Sequence, residues 1–80
     1  MKLVRIVKWD TPTVGLHIQN GPLTLDDAPD GWWSAQWELI PATIAPYTRM
    51  QYDYRIRNKY APDRYLNFET GQLQATNVPE

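Results

Sequence analysis

Residues 14–25 read VGLHIQNGPLTL, and this stretch decides the fold class. Asn20-Gly21 separates two short runs rich in apolar residues, which is the pattern of a tight β-hairpin turn. A second stretch with the same layout, RYLNFETGQLQAT, occupies residues 64–76 around Thr70-Gly71. No segment shows the 3.6-residue apolar period of an amphipathic helix. The two hairpins therefore predict a chain built from strands.

The two hairpin stretches are related by an offset of 50 residues. Without any gap, 7 of the 30 positions in residues 1–30 are identical to their counterparts in residues 51–80, whereas chance predicts about two. This self-similarity predicts an internal repeat of about 50 residues. Residues 1–50 then form a complete unit and residues 51–80 an incomplete one, within a single domain that spans residues 1–80. The identical positions in the first copy are Arg5, Ile6, Pro12, Leu16, Gly21, Leu23 and Pro29.

Further strands are predicted on either side of the hairpins. Residues 2–9 and 50–58 are rich in β-branched and aromatic residues, and residues 33–40 alternate apolar with polar. The alternation places Trp33 and Trp37 on one buried face, whereas residues 41–48 read as a loop. We therefore expect an all-β, trefoil-like fold or small barrel of about seven antiparallel strands, because closure removes unpaired sheet edges.

Composition limits the function classes. The 80 residues carry a formal net charge of −1, no Cys and one His. A near-neutral chain lacks the Lys/Arg excess of a nucleic-acid binder, and no stretch approaches the ~20 apolar residues of a membrane-inserted helix. We also see no glycine-rich phosphate loop and no catalytic triad spacing. The sequence predicts no enzyme, no cofactor and no metal site. The absence of a signal-peptide pattern favours a cytoplasmic protein or one released without a signal peptide.

Four segments carry a resemblance to a known family. They are YRIRN at 54–58, YLNFE at 65–69, GQL at 71–73 and, in the first copy, GWWSAQWEL at 31–39. Their order resembles the repeat unit of ricin-type β-trefoil modules, in which four strands end in a Gln-x-Trp-like element and three units close a barrel. Ala35 stands where that element has Gln, and the second unit is incomplete. The resemblance implies a lectin-like module that binds a glycan without catalysis, and the incomplete unit predicts a homo-oligomer.

Candidate sugar-binding residues lie beside the Trp pair and in the first loop of each copy. Adjacent Trp32 and Trp33 on a strand face opposite sides, so one enters the core and the other faces out near carboxylates. An exposed ring can stack on a sugar while a carboxylate accepts hydrogen bonds from the hydroxyl groups of the sugar. The alternatives are that both indoles are packed, and that the loop aromatics cover a barrel end. The predicted set is Trp9, Asp10, Asp30, Trp32, Asn58, Tyr60 and Asp63.

A second candidate surface interleaves aromatic and basic residues. Tyr52, Tyr54, Arg55 and Arg57 are of the types enriched in protein–protein hot spots. This pattern supports the alternative function, a protein-interaction or assembly module. Two other interpretations are open, a solvated sheet face with cross-strand pairs and a platform for single-stranded bases.

Three further residue types have ordinary structural explanations. His17 aligns with Asn67 in the repeat, so we expect a surface strand residue at that position. Trp37 is predicted to lie in the core. Asp26, Asp27 and Asp30 do not have the spacing of a calcium loop and are expected to form a solvated acidic turn.

Overall fold

A computed structural model describes residues 2–41 and 54–77. Within these residues the protein is all-β, as predicted, and it contains eight short strands and one 3-10 turn. None of its described helical segments is long and apolar enough to cross a membrane. The strands are β1 (Lys2–Val4), β2 (Val7–Lys8), β3 (Thr11–His17), β4 (Thr24–Asp27), β5 (Trp37–Pro41), β6 (Tyr54–Asn58), β7 (Tyr65–Asn67) and β8 (Gln74–Thr76), and the 3-10 turn is Trp33–Ala35.

The strands form two antiparallel sheets. One sheet has the order β1-β5-β6-β7-β8 and the other the order β2-β3-β4. Strand β5 pairs with β1 on one side and with β6 on the other. The expectation of a closed barrel is wrong for the described residues, because β4 and β8 each have a partner strand on one side only. Two open sheets leave these edges, and β4 carries exposed Asp26 and Asp27 on its edge, which discourages edge-to-edge pairing.

The predicted strand at residues 2–9 is divided between the two sheets. Its first part, β1, pairs with β5, whereas β2 pairs with β3. The chain changes sheet at Arg5-Ile6, and the Leu16 N–H donates to the Ile6 carbonyl at 2.9 Å. One stretch of extended backbone therefore joins both sheets and holds the β3–β4 hairpin beside β5.

Two similar arms flank β5. The first arm comprises residues 2–27 and the second arm residues 54–76. In the first arm Leu16 pairs with Leu25, and in the second arm Leu66 pairs with Ala75. These pairings, like Val7 with Gly15 and Arg57 with Tyr65, are the same once residue numbers are shifted by 50. The two hairpins therefore have the same register.

The turns of the two hairpins also match. Gly21 and Gly71 have φ angles of 105° and 86°, values that residues with a Cβ rarely adopt. The Gly21 N–H donates to the Ile18 carbonyl at 3.0 Å, and the Gly71 N–H donates to the Phe68 carbonyl at 2.9 Å. Each glycine therefore closes its turn with the same hydrogen bond.

Trp37 lies at the centre of the core, as predicted. Its side chain is 0% exposed and packs with Ile18 of the first arm and Ala75 of the second. Its indole N–H donates to the Leu16 carbonyl at 3.1 Å, so the buried polar atom has a partner. Around this small centre the apolar side chains are only partly buried: Val4, Ile6, Leu16, Leu23, Ile56, Ala61 and Leu66.

The segment before Trp37 differs from its predicted form. Trp33–Ala35 is a 3-10 turn, and the strand predicted at residues 33–40 begins only at Trp37. Ser34 and Ala35 are both buried, which does not fit the predicted strand with one buried and one solvated face. As a result Trp33 is 57% exposed instead of facing the core, and the Lys59 Nζ lies 4.4 Å from the centroid of its ring. The loop predicted at residues 41–48 lies almost entirely outside the described residues.

Candidate functional site

A pocket of about 460 Å³ lies between the β3–β4 hairpin and Trp32. His17 and Trp32 line it, and the exposed carboxylates of Asp26 and Asp27 and the amide of Asn20 surround it. Side chains of this kind, an apolar ring with a few polar groups, are typical of small-molecule sites. The hairpin supplies every polar member, and the residue just before the 3-10 turn supplies the ring.

His17 is buried, so the expectation of a surface residue is wrong. It is 1% exposed, because Trp32 packs across it with ring centroids 5.3 Å apart and ring planes at 80°. Such an edge-to-face contact is a favoured arrangement of two aromatic rings. His17 thereby fixes the position of the Trp32 indole in the pocket.

The hydrogen bonds of His17 indicate which nitrogen of the neutral imidazole carries the proton. The Gln19 backbone N–H donates to Nδ1 at 3.1 Å, so Nδ1 is an acceptor and carries no proton. The proton of the neutral ring is therefore on Nε2, which donates to the Asp26 carboxylate. This bond uses one carboxylate oxygen, and the Asp26 side chain is 62% exposed. A buried imidazole thus orients a carboxylate that solvent, or a ligand, can reach.

Trp32 and Asp30, two predicted sugar-binding residues, lie on neighbouring surfaces. Trp32 is half-buried in the pocket just described, whereas Asp30 borders a second depression of about 550 Å³. Asp27 contributes to both depressions. Asp30 accepts a hydrogen bond from Arg5 Nη1 at 2.8 Å, and Arg5 also donates to the Ala28 carbonyl. Arg5 therefore ties the segment that precedes Trp32 to the first arm.

The other loop residues of the predicted set lie elsewhere. Trp9 is 92% exposed in the turn between β2 and β3, and Asp10 beside it lies 3.7 Å from the Lys8 ammonium. Tyr60 and Asp63 are exposed in the loop between β6 and β7. None of these four lines the Trp32 pocket. The structure therefore does not bring the two early loops together with Trp32.

Asn58, also in the predicted set, is fully buried. Its Nδ2 donates to the Ser34 carbonyl at 2.9 Å, and its Oδ1 accepts the backbone N–H groups of Tyr60 and Ala61 at 2.9 and 3.0 Å. Both polar atoms of the amide already have partners inside the protein. In this structure Asn58 therefore joins the 60–61 loop to the 3-10 turn.

The predicted Tyr–Arg surface is largely paired within the protein. Arg57 donates to the Glu38 carboxylate at 2.6 and 3.2 Å, and hydrogen bonds to Glu38 and Tyr65 raise the pKa of the Arg57 guanidinium above its usual value. Arg55 lies 4.5 Å from the centroid of the Tyr65 ring, a cation–π contact. Tyr54 is exposed, and Tyr52 lies outside the described residues.

Sequence reasoning missed Asn20, His17, Asp26 and Asp27 as members of one pocket. The signal that could have found them is the register of the hairpin. The turn predicted at Asn20-Gly21 implies pairing of His17 with Thr24, which is observed although the hydrogen bond of the turn joins Gly21 to Ile18. This pairing places Asp26 diagonally across from His17 on the same face. No local sequence signal predicts the contact between His17 and Trp32, because this contact depends on the path of residues 28–32.

Comparison with known proteins yields no match. No family model, no curated protein and no solved structure is significantly similar to this chain. Within residues 2–41 and 54–77, no group of three acidic, His or Cys side chains is arranged to hold a metal ion. The resemblance to ricin-type repeats therefore stays a prediction from the residues, and the geometry of the pocket has to support a function by itself.

Proposed function

We propose that this protein is a lectin-like module that binds a carbohydrate in the Trp32 pocket and catalyses no reaction. The observation that carries the proposal is the combination in one pocket of a half-buried indole, two exposed carboxylates and an amide. A sugar ring presents an apolar C–H face and a rim of hydroxyl groups. Trp32 offers a surface for the first, and Asp26, Asp27 and Asn20 offer hydrogen-bonding partners for the second.

The positions of the polar groups are well suited to binding. Asp26 is held by His17 before any ligand arrives, so little side-chain freedom is lost on binding. Hydrogen bonds from hydroxyl groups to a carboxylate are short and roughly twice as strong as neutral ones. The imidazole itself is buried with both nitrogens engaged, so the proposal assigns it a positioning role and no proton transfer.

The internal repeat is part of the proposal. The common register of the two hairpins and the equivalent turns at Gly21 and Gly71 support a repeated unit of about 50 residues. His17 and Asn67, which align at this offset, also make the same local contact, since each accepts the backbone N–H two residues ahead at 3.1 Å. These correspondences favour an internal repeat over a chance similarity of two hairpins.

We further propose that the module self-associates through the exposed side of Tyr54. A depression of about 440 Å³ lies there, lined mainly by apolar side chains that include Leu39 and Ile40. Self-association would place several weak sugar sites on one particle and raise the overall affinity. Arg57 is already paired with Glu38, so Tyr54 is, among the described members of the predicted Tyr–Arg surface, the one most open to contact.

The sugar site is tested by glycan-array binding followed by titration of Trp fluorescence. We expect Trp32→Ala to weaken binding by at least tenfold, because a central aromatic contact is lost. Trp33→Ala is the matched control, since the neighbouring indole is exposed and outside the pocket. If the folded protein binds no glycan, or if both variants lose binding equally, the Trp32 pocket is not a sugar site.

Self-association is tested by light scattering over a concentration series. A discrete oligomer that Tyr54→Ser reduces to monomers, and that Tyr60→Ser leaves intact, supports the proposed face. Tyr60 is a suitable control because it is an exposed Tyr on another loop. A monomer at every concentration refutes self-association and leaves the sugar site to be judged separately.

A further inference from the structure

The second arm exposes an apolar surface that the first arm buries. Ile18 is 3% exposed, whereas Phe68, its counterpart at an offset of 50, is 66% exposed. Leu23 packs against the core, whereas its counterpart Leu73 is 43% exposed. We call the surface formed by Phe68 and Leu73 the second-arm face. Since the two hairpins have the same register, the difference arises from what covers them.

Residues 34–37 cover the first arm. The Ser34 carbonyl accepts the Ile18 N–H at 3.2 Å, and the Ser34 hydroxyl donates to the Gln19 side-chain oxygen at 2.7 Å. Trp37 then packs on Ile18 and donates its indole N–H to the Leu16 carbonyl. A Trp-bearing turn is thus held by apolar contact and by three hydrogen bonds to consecutive parts of β3 and its turn.

The second arm has the chemistry to hold a segment of the same kind. Leu66 corresponds to Leu16 and has the same partly buried position against the core. Glu69 corresponds to Gln19 and offers a carboxylate oxygen, a stronger acceptor for a serine hydroxyl than the amide oxygen of Gln19. Phe68 and Leu73 supply the apolar contact. The face therefore offers apolar contact and a side-chain acceptor at the positions that correspond to those used by the first arm.

We propose that the second-arm face binds a peptide segment with the chemistry of residues 31–41, a Trp-bearing 3-10 turn that runs into a β-strand. The segment comes from outside residues 1–80. A second copy of this chain is an unsuitable donor, because the only such segment within residues 2–41 and 54–77 has Trp37 fully buried and would have to uncover its own first arm. The partner is therefore a different stretch of polypeptide, and the second-arm face recognises its Trp and Ser side chains.

Binding at this face would also complete the core. Among the residues that the structure describes, only Ile18, Trp37 and Ala75 are buried in the central cluster, whereas Ile56, Ala61 and Leu66 around it are partly exposed. A chain of this size is marginally stable with so small a centre. Covering Phe68 and Leu73 removes further apolar area from water, so binding of the segment stabilises the folded protein.

The test uses the full 80-residue chain and a synthetic peptide with the sequence of residues 30–41. Binding is followed by calorimetry and by amide chemical shifts. We expect saturable binding with shifts at Phe68, Glu69 and Leu73, and a rise in the melting temperature of the chain. A peptide with Trp37→Ala is expected to bind at least tenfold more weakly, because it lacks the anchoring indole.

Matched variants locate the binding surface. Phe68→Ser and Leu73→Ser are both expected to weaken peptide binding by at least tenfold. Leu25→Ser on the first arm is the control, since Leu25 is also exposed and lies in the equivalent hairpin. Circular dichroism checks that each variant folds. Because these positions are exposed, their substitution leaves the core unchanged, and a loss of binding can be attributed to the second-arm face.

Three results would overturn the proposal. The first is absence of binding at millimolar peptide. The second is a set of shifts confined to residues 16–19, which would mean that the peptide only displaces residues 34–37 from the first arm. The third is concentration-dependent shifts at Phe68 and Leu73 without peptide, which would assign the face to self-association. The first and third results leave the Trp32 pocket unaffected, because it lies on the other arm, whereas the second would also disturb it, because residues 31–37 supply Trp32.

Discussion

The two arms have the same hairpin register but different degrees of burial. In the first arm the 3-10 turn and Trp37 pack over Ile18, whereas in the second arm Phe68 stays largely in solvent. Both arms carry a left-handed glycine at the same place in the turn. The comparison teaches that local sequence sets the form of each hairpin, and that a separate segment of chain decides whether its apolar face becomes core.

The arms also differ in the side-chain contacts that their polar residues make. In the first arm His17 contacts Asp26, and in the second arm Asn67 accepts and donates hydrogen bonds with Gln74 and Thr76. Trp32 packs on His17, and the segment that supplies this ring also covers Ile18. One segment, residues 31–37, therefore completes both the core and the pocket of the first arm.

The largest expected loss of stability comes from a substitution in the segment that covers the first arm. Trp37→Ala removes the centre of the core and leaves the Leu16 carbonyl without its indole donor. We expect the free energy of unfolding to fall by about 3–5 kcal/mol, which is comparable to the whole stability of a small domain. Urea unfolding followed by circular dichroism measures the loss. Trp33→Ala, an exposed indole in the same segment, is expected to change stability by about 1 kcal/mol or less.

A second prediction compares counterparts in the two arms. Ile18→Ala is expected to cost about 2–4 kcal/mol, because Ile18 is buried against Trp37. Phe68→Ala is expected to cost about 0.5 kcal/mol or less, because most of the Phe68 side chain is in water. The loss of stability in each variant is measured from the denaturant concentration at the midpoint of unfolding. Equal losses would show that Phe68 is covered in solution and that the two arms do not differ in burial.

A third prediction concerns the link between the arms. Asn58→Ala removes one of the two donors of the Ser34 carbonyl, which keeps the Ile18 N–H, and leaves two backbone N–H groups of the 60–61 loop without their acceptor. We expect a loss of about 2 kcal/mol, within the range for buried polar groups that lose their partners. Thermal unfolding measures it. Lys8→Ala is the control at the equivalent, exposed position of the first arm, and a similar loss there would contradict a special role for Asn58.

The smallest expected loss of stability tests whether the two hairpin turns are equivalent. Gly21→Ala and Gly71→Ala each place a Cβ at a positive φ angle, with no atom within 4 Å to clash. The cost is therefore one of backbone conformation, about 1 kcal/mol in each case. The expected result is two melting temperatures lowered by a similar amount. A loss at only one glycine would mean that the two turns relax differently.

Much of the secondary structure could be predicted from the residues. The alternation and turn signals place most of the strands, and the Asn20-Gly21 turn implies the observed pairing of Val14 with Asp27. The same reasoning failed at Trp33–Ala35, where alternation suggested a strand. Consecutive burial of Ser34 and Ala35 does not fit a strand with one solvated face, and no local pattern indicates that the chain turns there.

The candidate site was less predictable than the fold class. Trp32 was identified from its neighbours, but His17 was expected on the surface because its counterpart in the repeat is polar. Burial of His17 depends on Trp32, which packs across it from 15 residues further along the chain. A polar side chain is more often found on the surface, but its polarity does not show whether a residue distant in sequence will pack over it and exclude water.

What the sequence alone established is local. It determined an all-β chain, two hairpins in the same register and a buried Trp37, because turn chemistry and alternation act over a few residues. The tertiary arrangement decided which arm is covered, that the sheets stay open, and that His17, Asp26 and Trp32 share a pocket. Those features depend on the path of residues 28–37 across the first arm, where contacts between distant residues outweigh local preference.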